Sequence, residues 1–156
     1  MYYPNLPSTE NQFLAEHAKL LNNSFQWLFD TPLLDSNKDD LAEQLFYAPL
    51  VLLSHNTAAD PLFNYANQKG LELFELDWEQ LICLPSRASA EVINQAARDK
   101  LMAQVTSHGF IKGYEGVRIS SSGKRFQINN AIIWNLHDEQ GAYQGQAACF
   151  SEWVFL

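Results

Sequence analysis

The chain has few cysteines, few basic residues and no long hydrophobic run, and each shortage removes a class of protein. Its two cysteines, Cys83 and Cys149, stand in dissimilar contexts among 156 residues. That pattern fits reduced thiols in a cytoplasmic protein rather than a disulfide framework. Lys plus Arg number 10 against 18 Asp plus Glu, a net charge of −8. Nucleic acid and anionic membranes both call for a positive field, so neither is an expected partner. The longest apolar run, Ala48 to Leu53, is too short to span a bilayer. Residues 1–10 carry neither the basic residue nor the apolar stretch of a secretory leader. No cysteines and histidines have zinc spacing, so no metal is expected, and no strong catalytic signature stands out. No internal repeat or low-complexity tract interrupts the chain. What is present is a core-forming composition, 47% hydrophobic and 13% aromatic, at a length that suits one domain. Such a chain buries roughly 70% of its unfolded surface.

Hydrophobic periodicity divides the chain. Thr9 with Gln12 fits a capping box at the start of a helix over about 10–29, with Phe13, Leu14, Leu20, Leu21, Phe25, Leu28 and Phe29 as its apolar stripe. That stripe needs a cover, either the chain's own sheet or a second copy, so a homodimer through this helix is one expectation. A short helix over 39–46 follows, then a strand over 47–55, a turn at 56–61 and a strand over 62–67. Helical pieces at 68–76 and 78–83 precede a longer helix over 90–108, which Gly109 is placed to end. The last third alternates with a period of two and gives a three-strand meander over 110–120, 125–136 and 143–153. Both parities of the meander carry apolar residues, so both faces of the sheet are expected to be covered. The fold class is α+β: a five-stranded antiparallel sheet, a helix cluster on one face and the N-terminal helix on the other.

This order, with its local motifs, resembles a PAS domain. Phe63-Asn64-Tyr65-Ala66-Asn67 is similar to the second-strand segment that opens the PAS helix cluster. Leu71-Glu72-Leu73-Phe74 with Trp78-Glu79-Gln80-Leu81-Ile82 is similar to the cluster itself, and Ser122-Gly123-Lys124-Arg125-Phe126 to the PAS hairpin. Ser54-His55, the run from Asp60 to Asn67, Leu84-Pro85-Ser86-Arg87, the run from Tyr114 to Ser121, Trp134-Asn135-Leu136 and Gly145-Gln146-Ala147-Ala148 resemble the MEKHLA domain family more closely, in its bacterial, stand-alone branch. The resemblance implies one PAS-like domain, with an N-terminal helical segment over about 9–45, a core over about 46–153 and no fused output domain. It implies a sensory or ligand-binding role in signalling, without catalysis. A protein-interaction or dimerisation module with a self-filled pocket and a small pocket enzyme stand as the alternatives.

Aligned with flavin-binding LOV domains, the sequence puts Ser86 at the position of the photoactive cysteine, and Arg118, Ile128 and Ala147 at the flavin-contacting positions. Cys83, nearby, reads as a small core residue. His108, the one haem-ligand candidate on the long helix, sits in the last turn, where the helix dipole favours it. No cofactor is therefore expected. His55 and Asp60 flank a turn and read as holding it together. Arg118 shares its parity with Ile128, Asn130 and Ile132, so it is expected to face the helix-covered pocket and to need a partner. An internal carboxylate such as Glu91 or Glu72, the carboxylate or phosphate of a small organic anion, or solvent after a one-residue register shift would each provide one. The candidate ligand-binding residues are Arg118, Arg87, Asn130, Tyr65, Trp78, Ser86 and Trp134.

Overall fold

The computed structural model describes residues 2–35, 38–90 and 95–156. Helix α1 spans Ala15–Phe29, α2 Leu41–Phe46, α3 Gln68–Phe74, α4 Trp78–Ile82 and α5 Gln95–His108. Strands β1 (Val51–His55), β2 (Phe63–Ala66), β3 (Phe110–Ile119), β4 (Arg125–His137) and β5 (Tyr143–Phe150) form an antiparallel sheet in the order β2-β1-β5-β4-β3. This is the expected α+β PAS-like arrangement. A short sixth strand, β6 (Glu152–Phe155), continues β5 in the same register along β4, so the strand anticipated over 143–153 is broken at Ser151.

The N-terminal helix begins later than its periodicity suggests. Ser8, not Thr9, makes the capping box, with Asn11, and it caps a 3-10 turn over Thr9–Asn11. Gln12, Phe13 and Leu14 then take left-handed backbone angles before α1 starts at Ala15. The middle of the stripe packs against its own chain. Leu21 is fully buried, and the Phe25 ring packs edge-on against Trp134 of β4 at 5.1 Å. Phe29 meets Phe110 of β3 in the same way. The sheet thus covers the centre of the stripe, while Leu14, Leu20, Leu28 and Phe29 are half-buried.

Asn67 shows how the sequence builds the helix-cluster side. It is fully buried and caps α3 by accepting from the Gly70 amide at 3.0 Å. The same oxygen accepts from the Leu52 amide, while its amide group donates to the Leu45 and Leu50 carbonyls. One side chain therefore pins α2, β1 and α3 together, and its hydrogen-bonding capacity is met in the core. At the far end of α3, the Glu75 carboxylate accepts from the Ser120 and Ser122 hydroxyls, with the Lys124 ammonium 3.3 Å away. These bonds hold its carboxyl down at about 2 and tie α3 to the β3–β4 hairpin.

Two bulges set which residues of the meander face which layer. Gly113 (φ 70°) adds a residue to β3, and Asn130 (φ 54°) marks a matching addition in β4, so the β3–β4 register slips at Tyr114 and recovers at Gly116. Before the bulge, Ile128 faces the helix cluster; after it, Ala131 and Ile133 do. Trp134 lies against Phe25 of α1. Strict alternation fails here because each bulge reverses the pleat.

Candidate functional site

A cavity of about 70 Å³ lies between the sheet and the helix cluster. Its sheet wall is largely apolar and includes Leu53, Ile128, Ala131, Ile133, Ala148 and Phe150. Phe63, Phe74 and Met102 contribute further apolar surface. Its polar lining comes from five elements: His55 of β1, Ser86 and Ser89 of the 3-10 turn Ser86–Ser89, Arg98 of α5, Tyr114 and Arg118 of β3, and Gln146 of β5.

Two guanidiniums therefore face one small space. Arg98 and Arg118 are each only 8% exposed. Arg98 donates to the Ser86 hydroxyl at 2.5 Å, and its other terminal nitrogen lies 3.5 Å from Asp99, whose side chain is 69% exposed. Burial lowers the Arg98 pKa from its ordinary value, and the Arg118 charge adds to that effect. Arg118 donates to the Val117 carbonyl at 3.0 Å and stands over the Tyr114 ring at 5.4 Å. The Tyr114 ring in turn lies where a side chain at Gly116 would be, so the missing Cβ at 116 makes room for it. Among the described residues no carboxylate lines the cavity. Glu72, one of the two internal partners considered for Arg118, is 3.8 Å from Lys69 instead; Glu91, the other, lies outside the described residues.

His55 lines the same space as the two cations. Its Nδ1 lies 3.0 Å from the Asn56 carbonyl. Burial lowers its pKa and the Arg98 charge works in the same direction, against the Asn56 carbonyl and the Gln146 amide. The imidazole is held neutral in a site that already carries two positive charges.

Of the seven residues singled out from the sequence, Arg118 and Ser86 line this cavity. Arg87 stands outside its lining, in a two-pronged exposed pair with Asp60 at 3.0 and 3.1 Å. Asp60 therefore does not hold the 56–61 turn; Asn56 does, accepting from the Ala58 and Leu62 amides. Asn130 is exposed because the bulge turns it outward. Tyr65 and Trp78 pack against each other beside the N-terminal segment, Tyr65 on His17 and Trp78 donating to the Tyr3 carbonyl. Trp134 packs under α1. Cys83, expected in the core, is exposed at the end of α4. His108 is exposed in the last turn of α5 and sits 3.1 Å from the Gln104 carbonyl.

Arg98 was not among the expected site residues. The signal was present: Arg98, Met102 and Val105 recur at helical spacing, which places a cation on the buried stripe of α5.

Among the described residues no group of three His, Cys, Asp or Glu side chains could hold a metal ion. No helix among them is long and apolar enough to cross a membrane.

Known proteins share this architecture. The PAS domain of a protein from Colwellia psychrerythraea superposes with a TM-score of 0.60 at 14% identity, covering 74% of this chain and 92% of that one. The dark structure of the Aureochrome1 LOV blue-light photoreceptor gives 0.57 at 17% identity, covering 78% and 88%. Arg118, Ile128, Ala147 and Ser86, the residues that align in sequence with the LOV flavin contacts and photoactive cysteine, all line this cavity. In sequence, the homeobox-leucine zipper protein HOX29 of Oryza sativa subsp. japonica is 26% identical over 129 residues, and ATHB-15 of Arabidopsis thaliana 23% identical over 145. The alignments cover 78% and 89% of this chain but only 14% and 17% of those proteins. These relatives correct the expectation of a bacterial, stand-alone branch: the proteins matched are plant homeobox-leucine zipper proteins, much longer than the shared region. The MEKHLA domain model matches residues 15–155, and the chain belongs to the MEKHLA domain family.

Proposed function

We propose that this domain is a PAS-like sensory module that binds a small organic anion in the cavity between its sheet and α5, with Arg98 and Arg118 as the anion-holding residues and Ser86 positioning Arg98. The observation that carries this reading is the pair of buried guanidiniums facing a cavity whose described lining has no carboxylate. Two like charges in a half-apolar space are costly unless an anion neutralises them, and a guanidinium fork matches a carboxylate well. The cavity volume supports a small ligand. About 70 Å³ of this kind holds about five to seven water-sized atoms, and a flavin ring system is several times larger. The two serine hydroxyls beside the cations are engaged, Ser86 by Arg98 and Ser89 by the Ser86 carbonyl, an arrangement that supports binding rather than catalysis.

Isothermal titration with short carboxylates, at fixed ionic strength, tests the proposal. One-to-one binding of at least one of them, abolished in both Arg98→Met and Arg118→Met, is the expected result. Absence of binding across the series, or equal binding by the arginine variants, would overturn it.

A further inference from the structure

We infer that the anion is a short 2-hydroxy acid, its carboxylate held by Arg98 and Arg118 and its hydroxyl donating to Gln146; this rests on the anion-binding reading above. Gln146 is 3% exposed. Its Nε2 donates to the Thr106 hydroxyl at 3.2 Å, while its Oε1 is buried with no hydrogen-bond partner. A buried acceptor left unmade is unfavourable, and this one belongs to a residue that lines the cavity.

Within the fold Gln146 meets the His55 ring, whose neutral form has a single proton for two acceptors, the Asn56 carbonyl and the Gln146 oxygen. With Nδ1 of His55 directed at the Asn56 carbonyl, that nitrogen carries the proton of the neutral ring, and Nε2 is a second acceptor. Burial and the Arg98 charge favour the neutral ring. The cavity thus offers guanidinium donors for an anion and acceptors for one donor on the same small molecule.

The remaining features narrow the class. Room for about five to seven non-hydrogen atoms suits a carboxylate with one or two further carbons. The Ile128, Ala131, Ile133 and Ala148 surface suits a methyl group better than a tetrahedral inorganic oxyanion. An ammonium group would also supply a donor, but it would enter beside two guanidiniums and be repelled. A simple fatty acid or a 2-oxo acid has no donor for Gln146.

Titration of the purified chain with lactate, propionate, pyruvate, alanine and inorganic phosphate at one pH and ionic strength is the test. Lactate is expected to bind at least tenfold more tightly than each of the others. In Gln146→Met, lactate affinity should fall to that of propionate, and propionate affinity should be unchanged. If that variant does not fold, the ligand series on the unmodified chain still decides. Propionate or pyruvate within twofold of lactate would overturn the hydroxyl assignment and leave the anion site standing. Alanine or phosphate as the tightest ligand would overturn the class. Failure of all five to bind would overturn this inference and the anion reading together.

Discussion

The two faces of the sheet are both buried and both carry polar groups, yet they handle them in opposite ways. Under α1 the polar groups form a closed chain. The Tyr3 hydroxyl lies 3.1 Å from Nδ1 of His17, Nε2 of His17 lies 2.8 Å from the Ser54 hydroxyl, and Ser54 donates to Asn64 Oδ1 at 2.6 Å. With Ser54 donating onward, one neutral tautomer of His17 satisfies every link, and burial pushes its pKa down to about 3. Under the helix cluster the chain is open, with two guanidiniums, two unmatched amide oxygens (Asn135 Oδ1 and Gln146 Oε1) and a space beside the guanidiniums and Gln146. One face links its polar groups side chain to side chain, leaving Asn64 Nδ2, the Tyr65 hydroxyl and Trp134 Nε1 buried without partners, while the other gathers two cations around an open space.

Breaking the closed face should produce the largest effect. Leu21 is fully buried between α1 and the sheet, so Leu21→Asp loses its hydrophobic burial and places an unpaired carboxylate there. Urea unfolding should show a loss of about 4 kcal/mol or more. A loss below about 1 kcal/mol would mean that α1 is not docked.

Acid should act on the same face next. The unfolded chain takes up a proton on His17 near 6.5, whereas the folded chain resists it until about 3. The unfolded state therefore binds more protons in this window. Stability from His17 is full above about 6.5 and falls by about 1.4 kcal/mol per pH unit below it. By pH 4.5 the expected loss is about 2.5 kcal/mol, measured by urea unfolding at pH 7 and 4.5. The hydrogen-bonded carboxylates of Glu75 and Asp138, whose pKa values are lowered, lose their contributions only below about 4.5. His55, also lowered by burial, contributes from the cavity side within the same window. His17→Gln should therefore flatten the slope in part; a slope the substitution leaves unchanged would place the acid sensitivity on the cavity face.

Gly116→Ala tests the open face through its shape. The added Cβ would run into the Tyr114 hydroxyl and ring, forcing the ring out from beneath Arg118. A cost of about 1–3 kcal/mol is expected, with weaker anion binding by titration. Wild-type affinity in this variant would show that Tyr114 does not shape the site. The smallest effect should come from Asn130→Gly. Gly tolerates the φ of 54° at least as well as Asn, so the change should stay within about 0.5 kcal/mol, whereas Asn130→Val should cost about 1–2 kcal/mol. Equal stabilities would remove the bulge as the device that assigns β4 residues to their faces.

Much of this division was legible in the sequence. The stripe from Leu21 to Phe29 and the double parity of the meander together implied a sheet covered on both sides. The cation at 118 stood out because it broke an apolar pattern. The hidden parts have local causes. A bulge leaves no mark on composition, so Asn130 and Trp134 were placed in the pocket although the structure puts one at the surface and the other under α1. Arg98 shares a helical stripe with the apolar Met102 and Val105, and a periodicity read from apolar residues passes over a cation among them. Tyr65 and Trp78 resembled pocket aromatics in type, and only the three-dimensional course of the N-terminal segment shows that Tyr3 and His17 occupy them.

Unfolding of Arg118→Met in the absence of any added anion tests the central claim most directly. If the two cavity guanidiniums await an external anion, removing one relieves their mutual repulsion, and the variant should be as stable as the parent or more so. If Arg118 instead neutralises a carboxylate within the fold, the substitution strands that carboxylate. A loss of about 3–5 kcal/mol would then contradict the ligand site.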